Sequence, residues 1–284
     1  MLGLFRKRAK QGLDSLREAV GTFELPSFRP VAMKALETIR SEGATAAAVA
    51  QVLNGDPGLS VQVLRAVNSA GTGLRGQVNN LGHAVALLGL SRLESLIVGV
   101  AVRGALPHIC YRGFDPSRFW HTAALRAALA QELAAILHPA IRVECFTSAL
   151  LQDMAIPLLA AARTDQYGPL LERWHAGEGR LPDLERERFG WDHTVVGGHM
   201  CDAWGLPESL GQALRGHHDN SKDAGCPPGV ALVSEVVDGA PGPDAEAFIA
   251  RVTNSYNLPN SVVAELLERG RQRAGEIATM IGIR

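Results

Sequence analysis

Residues 115–137 read DPSRFWHTAALRAALAQELAAIL, and residues 143–159 read VECFTSALLQDMAIPLL. The first stretch opens on Asp115-Pro116, a carboxylate that can accept the free N–H groups of a helix start, followed by a residue whose fixed φ suits the first helical position. Alanine and leucine then dominate, and Pro139 ends the run. This predicts one long helix from Ser117 to about Leu137. The second stretch is apolar at most positions, as a helix buried all round would be, and Gln152-Asp153 interrupts it. Strict apolar/polar alternation, the mark of a half-buried strand, is hard to find anywhere in the chain.

The same reading extends to both sides. Val31, Ala35, Leu36 and Ile39 recur at helical spacing. Thr45 can cap Ala46–Leu53, and Asp56-Pro57 opens a helix whose stripe is Leu59, Val63, Leu64 and Val67. Asn68-Ser69-Ala70-Gly71 stops it. Ser91-Arg92-Leu93-Glu94 has the spacing of a capping box opening an apolar helix through Val102. On the C-terminal side, helices are expected near 168–178 and 193–204, and another from Pro207 to Gly216-His217-His218. Residues 220–229 read as a loop, 230–237 as apolar, 239–243 as a break, and 262–281 as a last helix. With no internal repeat and no long linker, the expectation is an all-α unit with two lobes, the N-terminal one ending near Val102.

Composition narrows the function classes. Lys plus Arg is 28 against 29 Asp plus Glu, so no global basic field points to nucleic acid. Aromatic residues are 5%, too few to suggest stacking platforms for single strands. The four cysteines, Cys110, Cys145, Cys201 and Cys226, have no Cys-x-x-Cys spacing and read as free thiols of a reducing compartment. No apolar run reaches the roughly 18 residues that a membrane span needs. The basic start (Arg6, Lys7, Arg8, Lys10) lacks an apolar region behind it, so residues 1–22 are expected to be a basic tail and the protein cytoplasmic.

Histidine and aspartate fall in informative places. His121 lies one turn into the long helix, Asp153 interrupts the apolar run, His193 opens a helix, His217-His218 close another, and Asp238 ends the segment 230–237. A buried carboxylate or imidazole is costly unless paired or metal-bound, and this mixture of ligands suits Mn, Fe, Ni or Zn. Such an ion could activate water for phosphoester hydrolysis. Each residue also has an ordinary reading: histidines near a helix C-terminus favour its negative end, and an Asp before Gly-Pro is a common turn residue.

Several motifs taken together resemble the HDOD domain family. These are Phe23-Glu24-Leu25-Pro26, Asp56-Pro57-Gly58-Leu59-Ser60, Ala84-Val85-Ala86-Leu87-Leu88-Gly89-Leu90, Phe119-Trp120-His121, Leu150-Leu151-Gln152-Asp153, Trp204-Gly205-Leu206-Pro207 and His217-His218. The resemblance spans residues 23–238, leaving 239–284 as a C-terminal helical extension packed on the second lobe. It implies an HD-like helical bundle related to metal-dependent phosphohydrolases, whose pattern is a His, a His-Asp pair and a later Asp. Carried over, His121 matches the first His, Asp153 the pair's Asp and Asp238 the last Asp, with His193, His217 and His218 as further ligands. Gln152 replaces the pair's His, Ile156 stands where the cyclic-dinucleotide-cleaving relatives often have Lys, and Asp223-Ala224-Gly225-Cys226-Pro227 only faintly echoes their Gly-Tyr-Pro signature. An amide oxygen is a weak transition-metal ligand.

The resemblance therefore implies a non-catalytic regulatory or interaction module of bacterial signal transduction, such as a two-component system. No cofactor is expected beyond one weakly bound divalent metal, and the partners are signalling proteins or a second copy, with neither nucleic acid nor membrane. The alternative is a metal-dependent phosphohydrolase acting on a nucleotide or cyclic dinucleotide.

Overall fold

The computed structural model describes residues 24–68, 77–219, 225–237 and 243–283, together with 12, 14, 16–17 and 19–21. Among them there is no strand; Tyr111 and Phe114 form an isolated bridge. Helices α1 (Pro30–Ile39), α2 (Ala46–Leu53), α3 (Pro57–Asn68), α4 (Leu81–Leu88) and α5 (Leu90–Ala105) build the N-terminal lobe. Local chemistry sets their starts. Thr45 accepts from Ala48 N–H at 3.2 Å, Asp56 from Leu59 N–H at 3.0 Å and Asn80 from His83 N–H at 3.1 Å. The expected capping box at Ser91 does not form: α5 already begins at Leu90 behind Gly89, and Glu94 reaches across to Arg40 at 2.7 Å. Gly89 turns the chain at φ 74°, which places the helix start ahead of Ser91.

Helix α6 (Pro116–Leu137) is the central strut, and the Asp115 carboxylate accepts from the N–H groups of Ser117 and Arg118 at its start. Its alanines are buried on nearly every side, because a helix with small side chains admits close neighbours all round. Helices α7 (Arg142–Leu151), α8 (Ala155–Ala162), α9 (Thr164–His175) and α10 (Leu181–Phe189) follow, then α11 (His193–Ala203) and α12 (Glu208–Gly216). The short α13 (Pro228–Val233) leads to α14 (Pro243–Tyr256) and α15 (Asn260–Met280).

One continuous core joins the two lobes, from Leu36, Val63 and Leu93 to Leu151, Met154 and Leu214. A second cluster, around Leu129, Leu133, Val230, Phe248 and Leu266, is made where α13, α14 and α15 cover the far side of α6. Close approach of α15 to α6 requires Gly270, where a Cβ would run into the Leu129 side chain. The C-terminal helix also reaches beyond the second lobe. Ile277 and Ile281 enter the main core, and Arg103 of α5 donates to Gly282 O at 2.9 Å.

Two expectations are corrected. The described part of the supposed tail is helical and contributes Leu16, Ala19 and Val20 to the core; Arg163 donates to Ala19 O at 2.7 Å. Residues 6–10 lie outside the described residues. The stretch Pro139–Ala162 is long and apolar enough to cross a membrane, but 83% of its apolar window is buried inside the protein. Its hydrophobicity serves the core, and the turn at Gln152–Met154 breaks it between α7 and α8.

Candidate metal centre

The turn between α7 and α8 carries Gln152 and Asp153 into the interior, where they are 1% and 8% exposed. Helix α11 delivers His193 from its first position, because Asp192 caps it by accepting from Thr194 N–H at 3.0 Å. The end of α12 delivers His217 and His218. One ligand atom from each of Asp153, His193, His217 and His218 lies within 4.8 Å of every other.

The surrounding groups orient the rings. His193 Nδ1 lies 2.6 Å from Glu185 Oε2, and Glu185 is itself fully buried and accepts from the Tyr167 hydroxyl. His217 Nδ1 donates to Leu214 O at 2.7 Å. With those nitrogens engaged, both rings present Nε2 to the centre, the arrangement by which outer partners prepare histidines for an ion. His193 Nε2 stands 3.4 Å from His217 Nε2 and 3.2 Å from His218 Nε2. Asp153 Oδ1 lies 3.0 Å from His217 Nε2 and 3.4 Å from His193 Nε2. Lone pairs held so close repel unless a proton or a cation sits among them. Three imidazole nitrogens and one carboxylate oxygen are a fitting donor set for a single divalent ion.

Asp153 has a second, permanent partner. Arg126, 2% exposed on α6, sets its Nη1 against Asp153 Oδ2 and donates through Nε to Val236 O at 2.7 Å. Burial alone would raise the Asp153 carboxyl; Arg126, His193 and His217 hold it well below the usual carboxylate range. Burial also opposes charge on His193, but Glu185 and Asp153 outweigh it and raise its pKa to about 10. His218 is pushed down to about 4, chiefly by burial. Its Nδ1 is 3.3 Å from Glu235 Oε1, without the alignment of a hydrogen bond. Glu235 in turn pairs with Arg180 at 2.7 Å.

Of the expected site residues, Asp153, His193, His217 and His218 come together. His121 does not join them: its Nδ1 lies 2.8 Å from Ser117 O of its own helix, and Arg126 is the α6 residue that faces Asp153. Asp238 lies outside the described residues. Gln152 adjoins the cluster but its amide atoms have no hydrogen-bond partner. Sequence reasoning missed Arg126 and Glu185. Arg126 did carry a signal, being a lone charge between Ala123-Ala124-Leu125 and Ala127-Ala128-Leu129, the same kind of interruption that drew attention to Asp153. Glu185 carried none, since it sits in the charged stretch Asp183-Leu184-Glu185-Arg186-Glu187-Arg188.

Beside the cluster runs a cleft of about 400 Å³ between α6, the α7–α8 turn, α9 and the segment 110–115. Its walls include Phe114, Phe119, Leu150, Ile156, Leu171 and Trp174, and Asp153 and Arg126 reach its inner side.

An all-helical scaffold with a buried His–Asp cluster at the ends of three helices defines an HD-like protein. The chain belongs to the HDOD domain family, whose sequence profile matches residues 25–220. Its fold is shared by a crystallised protein from Shewanella amazonensis SB2B named provisionally as a phosphohydrolase (TM-score 0.72, 21% identity, covering 97% of this chain and 98% of that one). An HDOD domain protein with unknown function from Geobacter sulfurreducens is similar to the same extent (TM-score 0.71, 19% identity, 95% and 98% covered). A third, from Marinobacter aquaeolei VT8 and named provisionally as a signal transduction protein, has a TM-score of 0.70 and 18% identity over 99% of this chain and 66% of that one. No curated protein matches the chain.

Proposed function

We propose that this HDOD protein is a non-catalytic regulatory module of bacterial signal transduction, acting in the cytoplasm on signalling proteins or on a second copy of itself. The observation that carries this reading is the buried Arg126–Asp153 pair. Two-ion phosphoester cleavage uses a carboxylate to bridge ions roughly 3.5–4 Å apart. Here the guanidinium holds the oxygen that a second ion would need, and Gln152 supplies no imidazole beside it. One divalent ion on Asp153, His193, His217 and His218 is compatible with the reading. When bound, it would supply a positive charge that ties the α7–α8 turn, α11 and α12 together. In the same reading Glu185 and the Leu214 carbonyl orient the rings, and Arg126 keeps Asp153 ionised.

The alternative is a one-ion phosphohydrolase, favoured by the three converging Nε2 atoms. Metal analysis of the purified protein, joined to a phosphodiesterase assay on cyclic dinucleotides and a model phosphodiester with Mn, Fe, Ni or Zn added, separates the two. The regulatory reading expects no more than one ion per chain and no turnover above that of an Asp153→Asn protein. Enzyme-like turnover that this substitution abolishes, in a substituted protein that circular dichroism shows to be still folded, establishes the hydrolase.

A further inference from the structure

The cleft beside the cluster has the features of a ligand site rather than of a packing fault. Its volume of about 400 Å³ falls in the range of roughly 300–1,000 Å³ typical of small-molecule pockets. Phe119 and Trp174 line it together with the aliphatic side chains of Leu150, Ile156 and Leu171, so a flat apolar body would leave water on entering. Its polar side chains fall into a buried group and a more exposed one. The buried group is Thr122, Arg126, Asp153 and Gln152. Arg126 and Asp153 neutralise one another. The Gln152 amide, on a side chain 1% exposed, has neither its donor nor its acceptor satisfied. An unpaired buried amide costs free energy that a hydrogen-bonding partner recovers.

At the mouth stands Arg118, exposed and without an ion-pair partner among the described residues. The nearby carboxylate of Asp115 is engaged in capping α6. His175, also in the wall, is held toward its neutral form by burial and by Arg118. The cation that a ligand meets first is therefore Arg118.

We infer that this cleft binds a small aromatic carboxylate, its acid group on Arg118, its flat body between Phe119 and Trp174, and a polar edge turned toward Gln152. The inference goes beyond the regulatory reading, since it supplies a chemical class of input signal for which the buried cluster itself gives no hint.

Cys110 provides the reporter. It lines the mouth and is exposed. Cys145 and Cys201 are buried, and burial raises the thiol pKa values of Cys145 and Cys226 to about 11 and about 12. The probe is naphthoate. Alkylation of Cys110 by iodoacetamide, followed by peptide mass spectrometry, is measured against naphthoate concentration, and calorimetry gives the dissociation constant independently. Saturable protection is expected, weakened about tenfold or more by Arg118→Glu and by uncharged naphthamide in place of naphthoate. Arg118 is on the surface, so its substitution leaves the fold intact, which circular dichroism checks. No saturable protection, or equal affinity in the Arg118→Glu protein, overturns the inference. Neither outcome bears on the metal and turnover measurements, so the two readings fail separately.

Discussion

The guanidinium of Arg126 on α6 lies against the carboxylate of Asp153 at the α7–α8 turn, with both side chains buried. An ionic pair so placed is costly to assemble and costlier to break from one side, because the remaining charge has no water to solvate it. Replacing Asp153 by Asn is expected to destabilise the protein by about 3–5 kcal/mol, measured by urea unfolding near neutral pH. Replacing both members by apolar residues, Arg126→Met with Asp153→Leu, is expected to cost much less than the sum of the single changes. Additive costs would show that the pair is not coupled.

The same carboxyl makes stability fall in acid. Its folded pKa is lowered from 3.8, so the stabilisation is complete above that value and is lost as pH falls through the folded pKa. His193 acts at the other end. Its folded pKa of about 10 lies above the ordinary 6.5, so its contribution is whole below about pH 6.5 and is lost as pH rises through about 10. Thermal unfolding followed from pH 6 to about 10.5 should show this alkaline decline in metal-free protein, and a His193→Gln protein should lose most of the slope. An ion entering the cluster must displace the His193 proton. Metal affinity is therefore expected to strengthen as pH rises, and a flat profile would place the ion elsewhere.

Gln152→His supplies an imidazole beside Asp153. It should raise metal occupancy after ordinary purification, read by elemental analysis. Loss of an outer partner typically changes affinity about 10–100-fold, and a direct ligand should change it by at least as much. Turnover is not expected to appear, because Arg126 still holds Asp153 Oδ2 and Ile156 stands where the hydrolytic relatives often have Lys. A Gln152→His protein whose metal content equals that of the parent would show that residue 152 cannot reach the cluster.

Gly12→Ala tests the packed N-terminal segment. A Cβ at Gly12 would come within 2.8 Å of His199 O and 2.9 Å of Ala203 N on α11. Overpacking of this kind costs about 1–3 kcal/mol, so a lower urea midpoint with unchanged slope is expected. An unchanged midpoint would mean that the segment docks too weakly to matter.

Much of this protein was legible along the chain. Helix starts at Thr45, Asp56 and Asp115 depend on a side chain and the N–H groups two or three residues ahead, so sequence alone reveals them. Burial of 143–159 follows from its composition, and a carboxylate within that stretch already implied a partner. Which partner it has was not legible. His121 and Arg126 share one helix, five residues apart, and point to different sides of it; only the packing of α6 against the α7–α8 turn decided that Arg126 meets Asp153. Glu185 became the orienting group of His193 in the same way, through the approach of the middle of α10 to the start of α11. Local sequence determines where helices begin and which faces are apolar, because those are short-range energies. Pairing between distant polar groups belongs to the tertiary structure, which alone sets the distances on which electrostatic energy depends.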